Sequence, residues 1–213
     1  MEITWYGHAC FRLREGGVTI VTDPYDKGLG YTLPRLRADV VTISHTTPGH
    51  ASVDLVKGDP KILSGPGEYE VKGVFITGIP TWHAHQRGRP DERNTVFLFD
   101  FDGLTICHLG DLGHLLSEEQ IEAIGDVSVL LVPVGGRRTL DASQAAEVIS
   151  QIEPRIVIPM HYKTPALQHP LDDVEKFLRV MGISHAEVQA TLKVTASELP
   201  EETQVVLLDY KQG

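Results

Sequence analysis

The chain has 213 residues, 41% hydrophobic and 23% charged, enough to bury a substantial core in one domain over residues 1–213. Its formal charge, 19 − 29 = −10, excludes nucleic-acid binding through a general basic field and leaves open only a local basic pocket. No apolar span of membrane-crossing length and no signal-like start is present, so a cytoplasmic protein without membrane or nucleic-acid partners is expected.

Taken in chain order, the start is β. Ile3 to Tyr6, Ala9 to Leu13 and Val18 to Thr22 read as strands, with a Gly16-Gly17 turn before the third and Asp23-Pro24 stopping it. Cys10 lies in the second run and Cys107 in a later one. Neither forms a Cys-x-x-Cys pair, so both read as buried thiols in a reducing compartment, and any metal site must use nitrogen and oxygen ligands. Lys27 to Leu36, rich in Gly and Pro, reads as a loop. Val40 to Ile43 is a β-branched run bounded by Thr47-Pro48-Gly49, a buried strand entering a loop. Lys61 to Leu63 and Val74 to Ile79 read as strands separated by a Ser64–Tyr69 connector. Gln86 to Arg93 is a polar loop of the kind that serves as a lid.

Thr95 to Asp100 and Leu104 to His108, split by Asp102-Gly103, give the strongest hairpin signal. Ser117 with Gln120 opens a short helix to about Ile124. Asp141 caps a second helix through Ile152, with Ala145, Val148, Ile149 and Ile152 on one face, and a third runs from Leu171 to Met181. Val127 to Val132 and Arg155 to Met160 are buried strands, and Thr191 to Val194 and Gln204 to Leu208 close the chain as strands. Strands first and helix–strand alternation later predict an α+β protein of two sheets with helices outside.

Histidines gather at these strand ends. His45 and His50 follow the Val40 run, His83 and His85 lie in Trp-His-Ala-His, His108 and Asp111 in His-Leu-Gly-Asp, and His161 in Pro-Met-His-Tyr-Lys. One such histidine would ordinarily be a surface or satisfied core residue; several strand ends each delivering His or Asp point to a shared metal ion. His108 reads as a brace for its loop, and His114, His169 and His185 as surface or cap residues. Arg137, Arg138 and Lys163 follow the apolar runs on the same side, where cations can hold a phosphate or carboxylate. Tyr162 is a candidate donor to an oxyanion.

Trp5-Tyr6-Gly7-His8-Ala9, Thr22-Asp23-Pro24, Ser44-His45 to His50, Trp82-His83, His108-Leu109-Gly110-Asp111 and Pro159-Met160-His161-Tyr162 occur in this order. In them the chain resembles the metallo-β-lactamase-fold superfamily, in the branch around L-ascorbate-6-phosphate lactonase-like zinc-dependent hydrolases. The resemblance implies a four-layer αββα sandwich with one or two metal ions at one edge of the sheets. The superfamily signature His-x-His-x-Asp-His is degenerate here: His45 and His50 match its first and last histidines, while Thr47 replaces the second His and Gly49 the Asp. The resemblance implies one site of His45, His83 and Asp111 and another of His50, Asp111 and His161, bridged by Asp111. His83 and His85 are alternatives for one position. His8, His85 or His108 could replace a missing ligand, and His8 otherwise reads as an outer hydrogen-bond donor.

The implied cofactor is Zn²⁺, with Mn²⁺ or Fe²⁺ also compatible. Zinc lowers the pKa of bound water from about 15.7 toward about 7. The expected reaction is therefore attack by metal-bound hydroxide on a small anionic ester, lactone or phosphoester. Asp111, His8 and Tyr162 are the candidate catalytic residues, with Asp111 orienting and deprotonating the water. A homo-oligomer is compatible with this reading. The alternative is a metal-poor, catalytically impaired member that binds or regulates through the same pocket, since Thr47 and Gly49 remove one ligand from each site.

Overall fold

The computed structural model describes residues 1–47, 49–83, 93–101 and 103–213. In chain order its strands begin with β1 (Glu2–Trp5), β2 (Phe11–Glu15), β3 (Val18–Thr22), β4 (Leu36–Arg37), β5 (Val40–Thr42), β6 (Val56–Lys57), β7 (Lys61–Leu63), β8 (Gly67–Val71) and β9 (Val74–Trp82). They continue with β10 (Arg93–Asp100), β11 (Thr105–His108), β12 (Val129–Pro133), β13 (Ile156–Met160), β14 (Val188–Gln189), β15 (Leu192–Lys193), β16 (Gln204–Val205) and β17 (Leu207–Leu208). The helices are α1 (Glu118–Ile124), α2 (Ala142–Ile152) and α3 (Val174–Val180).

A six-stranded sheet has the order β15-β1-β2-β3-β5-β7, and a seven-stranded sheet the order β16-β13-β12-β11-β10-β9-β8. β1 and β3 each run antiparallel to β2, while β3, β5 and β7 are parallel. In the other sheet β9 and β11 each run antiparallel to β10, and β11, β12 and β13 are parallel. The carboxyl ends of β1, β3 and β5 therefore share one edge of their sheet, as do those of β9, β11, β12 and β13. Such ends are where ligands collect in sheets with parallel strands.

Period-two alternation gives the first sheet two buried faces. Phe11, Leu13, Ile20 and Val40 enter the main core, which both sheets share. Val21 and Val41 face outward into a second cluster with Tyr25, Leu29, Tyr31 and Leu36. That outer cluster is roofed by 3₁₀ turns at Lys27–Leu29 and Val53–Leu55 and by the β4–β6 ribbon. The α+β sandwich is as expected, with one departure from four even layers. Among the described residues α-helices line only the seven-stranded sheet, where α1 and α2 are the crossovers of β11-β12-β13 and α2 packs on α3. Pro24, Gly28, Gly30 and Pro34 deny a helix to the segment over the other sheet.

The caps on α1 and α2 form as the sequence predicts, Ser117 pairing with Gln120 and Asp141 with Gln144 in capping boxes. α3 starts at Val174 rather than Leu171, because Asp172 is held extended: its N–H donates to the Gly135 carbonyl and its carbonyl accepts from the Lys163 N–H, both at 2.9 Å. Part of the expected Ser64–Tyr69 connector is strand β8, an edge strand whose exposed Glu68 and Glu70 alternate with half-buried Tyr69 and Val71. Cys10 and Cys107 are buried and free. No helix among the described residues is long and apolar enough to cross a membrane. His85, Asp102 and the expected lid up to Glu92 lie outside the described residues.

Candidate metal centre

Each candidate ligand follows the carboxyl end of a strand: His8 after β1, His45 and His50 after β5, His83 after β9, Asp111 after β11 and His161 after β13. His8 and His161 take positive φ values of 52° and 51°, a conformation that costs a residue with a Cβ about 1 kcal/mol or more. They hold each other there. The His161 N–H donates to the His8 carbonyl at 3.1 Å, and that carbonyl also accepts from Trp5 Nε1 at 3.1 Å. The Asp111 turn depends on Gly110, at φ +59°, where a Cβ would fall 2.4 Å from Ser44 Cβ and 2.6 Å from Asn94 Oδ1. Buried Asn94 accepts the Asp111 N–H at 2.9 Å and donates to the Leu109 carbonyl at 2.9 Å and to Thr81 Oγ1 at 2.7 Å. His108 braces the two sheets, its Nε2 lying 2.9 Å from the Ala9 carbonyl.

His8, His50 and His161 bring one ligand nitrogen each to within 4.8 Å of one another. Asp111 sits among them, with Oδ2 at 3.2 Å from His50 Nε2 and 3.4 Å from His83 Nε2, and Oδ1 at 3.3 Å from His161 Nε2. His45 and His83 lie to one side, ring centroids 4.7 Å apart, with His45 6.0 Å from His50. Thr47 Oγ1 lies 3.2 Å from His45 Nδ1. A Cβ at Gly49 would meet His8 Nε2 at 3.5 Å, so His8 stands against the position where the signature carries its Asp. His8 thus belongs inside the cluster, not behind it as an outer donor, and its Nδ1 is buried without a hydrogen-bond partner.

Two aspartates flank His50. Asp23 Oδ2 lies 2.9 Å from Nδ1 and Asp111 Oδ2 lies 3.2 Å from Nε2. Burial opposes charge on His50, but the carboxylates of Asp111 and Asp23 prevail and push its pKa up to about 10. Burial drives His83 the other way, to about 4, with His45 and Arg138 adding to the effect against Asp111. Burial also lowers His8 and His161, so both are neutral imidazoles able to donate a lone pair. Asp111 resists the burial penalty because His50 and His161 hold its carboxyl well below the usual range.

Asp23 receives no side-chain role from the sequence, where its Asp-Pro step marks a strand stop and one segment of the superfamily-like pattern. It is fully buried and also accepts from Ser44 N–H at 2.7 Å, tying the β3 end to the β5 loop that carries both histidines. A carboxylate behind a histidine is the usual way a protein orients a metal ligand. Asn94 was likewise missed, since nothing in a strand-like run marks one Asn as a loop anchor.

The donor set fits a divalent ion. Asp111 Oδ1 is buried with no hydrogen-bond partner although His161 Nε2 lies 3.3 Å away, and the Nδ1 atoms of His8 and His161 are equally unsatisfied. The neutral imidazoles of His8 and His161 and the ionised Asp111 carboxylate, with no thiolate, are a donor set for zinc or a similar ion, and His50, held protonated between two carboxylates in the ion-free cluster, joins them by releasing its proton as a metal binds.

The cluster opens into a cavity of about 750 Å³. Arg137 and Arg138 line it as expected, Arg137 steadied by an Nε bond to the Pro170 carbonyl at 2.8 Å. His169, read from sequence as a surface residue, is exposed yet also lines it, as do Leu29 and Leu171. Two expectations fail. The Tyr162 ring packs on Trp5, centroids 5.1 Å apart, and faces a separate groove. Lys163 faces that groove too, and its ammonium is spent on the Leu167 carbonyl. Neither lines the cavity beside the cluster.

Comparison with known proteins agrees with this architecture. A family profile described as a beta-lactamase superfamily domain matches residues 2–161. A metal-dependent hydrolase of Pyrococcus abyssi is 28% identical over 85% of this chain and 92% of its own length. A Thermotoga maritima structure, provisionally described as a Zn-dependent hydrolase of the metallo-beta-lactamase superfamily, is 43% identical with a TM-score of 0.83, covering 99% of both chains. A metallo hydrolase of Ignicoccus hospitalis, 23% identical, shares the fold with a TM-score of 0.67 over 91% of this chain and 99% of its own.

Proposed function

Because this chain belongs to the beta-lactamase superfamily, we propose that it is a metal-dependent hydrolase of a small anionic ester, lactone or phosphoester. The observation that carries the reading is Asp111, whose carboxylate meets ring nitrogens of His50, His83 and His161 at 3.2, 3.4 and 3.3 Å beside a cavity lined by two arginines. His50, His161 and Asp111 would hold the ion, with His8 as a ligand on the Gly49 side. Zn²⁺ there would supply a Lewis-acid charge able to acidify a water and polarise the scissile oxygen.

The chain's own residues do the rest. Asp111, whose carboxyl His50 and His161 hold well below the usual range, would orient the attacking water. His83, neutral at physiological pH, offers Nε2 as the proton acceptor. Arg137 and Arg138 grip the anionic group of the substrate, a task guanidinium groups suit by their forked donors. Leu29 and Leu171 cover the less polar part and exclude water. A phosphorylated lactone, the substrate class implied by the resemblance to the ascorbate-6-phosphate lactonase branch, fits both halves of such a cavity. The protein acts on free small molecules in the cytoplasm, with no nucleic-acid or membrane partner.

The test is a panel of anionic lactones, carboxylic esters and phosphodiesters offered to the zinc-loaded chain. The expected result is turnover of at least one class, lowered about a hundredfold or more by Asp111→Asn. Turnover unchanged by that substitution contradicts the assignment.

A further inference from the structure

The sequence Arg-Leu-Arg occurs twice, at Arg12-Leu13-Arg14 and Arg35-Leu36-Arg37. Both copies lie on or beside short strands, β2 and β4, and in both the leucine is buried while alternation turns the arginines outward. The four guanidinium groups, of eleven in the chain, line one cavity of about 480 Å³ together with Thr19 and Asp39. That is a concentrated positive site on a protein of net charge −10.

Little within the protein neutralises it. Arg12 Nη2 pairs with Glu2 at 2.8 Å, but Arg12 Nε is buried without a partner. Arg14, Arg35 and Arg37 form no ion pair among the described residues. Asp39 is already committed, accepting from Thr19 N–H at 2.9 Å and from Lys72 at 2.6 Å. Clustered arginines repel one another, and a sheet gains nothing by collecting them unless an anion shares their donors.

The groove is not part of the metal centre. Gly17 and Asp39, in its wall, precede β3 and β5, whereas Asp23 and His45 follow the same strands. A strand such as β3, five residues long, therefore separates the two ends by roughly 16 Å. Paired arginines two residues apart on a strand stand about 7 Å from each other. That spacing suits linked phosphates better than a single carboxylate, and a groove of about 480 Å³ suits a small molecule.

We propose that this four-arginine groove is a second binding site, distinct from the hydrolytic cavity, for a small anion carrying adjacent phosphate groups. The test is isothermal titration of the full chain with inorganic tripolyphosphate, repeated for Arg14→Ser/Arg37→Ser and for Arg137→Ser/Arg138→Ser. Arg14 and Arg37 are exposed, so the groove variant keeps its fold, which circular dichroism checks. The groove variant is expected to lose a saturable tripolyphosphate site, weakened about tenfold or more, and the cavity variant, whatever it loses at the hydrolytic cavity, is expected to keep that site with affinity within about twofold of wild type. Absence of saturable binding, or equal binding by wild type and groove variant, overturns the proposal. Orthophosphate as strong as tripolyphosphate removes the adjacent-phosphate assignment, and a short single-stranded RNA bound more tightly than tripolyphosphate removes the small-anion one. None of these outcomes depends on turnover at the metal centre.

Discussion

Replacing Asp23 should damage both the fold and the metal centre, by amounts the structure sets. Its side chain is fully buried and accepts Ser44 N–H at 2.7 Å, Ser44 Oγ at 2.5 Å and His50 Nδ1 at 2.9 Å. Asp23→Ala strands all three donors and leaves His50 with Asp111 alone. Breaking a buried charged pair costs about 3–5 kcal/mol. For a domain of this size that lowers the melting temperature by roughly 6–20 °C. With His50 no longer held from behind, metal affinity should fall about 10- to 100-fold. Asp23→Asn keeps the volume and the Ser44 contact but not the charge, so it should fall between wild type and Asp23→Ala in both respects. Thermal unfolding by circular dichroism and competition with a chromophoric chelator measure the two effects. Asp23→Ala with wild-type melting and wild-type affinity would refute the role given to this residue.

Other substitutions probe separate parts of the account. Gly110→Ala must displace Ser44 or Asn94, since its Cβ would fall 2.4–2.6 Å from them; a loss of about 2 kcal/mol or more is expected in urea unfolding. Thr47→His with Gly49→Asp restores both signature ligands at positions lining the cavity, and the Gly49 side tolerates a Cβ at 3.5 Å from His8; elemental analysis should find more metal per chain than in wild type. Tyr162→Phe should leave kcat/KM within about twofold, whereas Arg138→Ala should raise KM about tenfold with kcat little changed. The Lys72 ammonium and the Thr19 N–H hold the Asp39 carboxyl below its ordinary value. Its stabilisation is therefore present at neutral pH and lost as pH falls through the folded-state pKa. Asp39→Asn should cost under about 1 kcal/mol at pH 7, because the pair is partly solvated, and the gap to wild type should close in acid.

Much of this could be read from residue order because strand ends punctuate the sequence clearly. β-branched runs stopping at His, Asp or Gly located β5, β11 and β13 and hence His50, Asp111 and His161. The capping residues Ser117 and Asp141 marked α1 and α2 for an equally local reason. What local pattern could not carry was direction. Residues 161, 162 and 163 follow the same strand, yet only His161 faces the cavity, and neither Tyr162 nor Lys163 does. Nor could it show which groups stand behind the ligands. Asp23 meets His50 from 27 positions away, and His8 reaches the cluster through a left-handed backbone that no periodicity encodes. Over the six-stranded sheet the Gly- and Pro-rich Lys27 to Leu36 reads as loop while the resemblance implies a helical layer, and the buried Tyr25 and Tyr31 join the outer cluster only when the segments carrying Leu36 and Val56 fold over them.

The central claim is that His8, His50, His161 and Asp111 together retain an ion despite Thr47 and Gly49. Elemental analysis of untagged protein, before and after dialysis against a mild chelator, tests it most directly when wild type and His161→Ala are run side by side with circular dichroism. About one tightly held divalent ion per wild-type chain is expected, with its loss from a folded His161→Ala variant. A folded wild type that retains no ion after loading with zinc, or a His161→Ala variant that keeps a full complement, would contradict it.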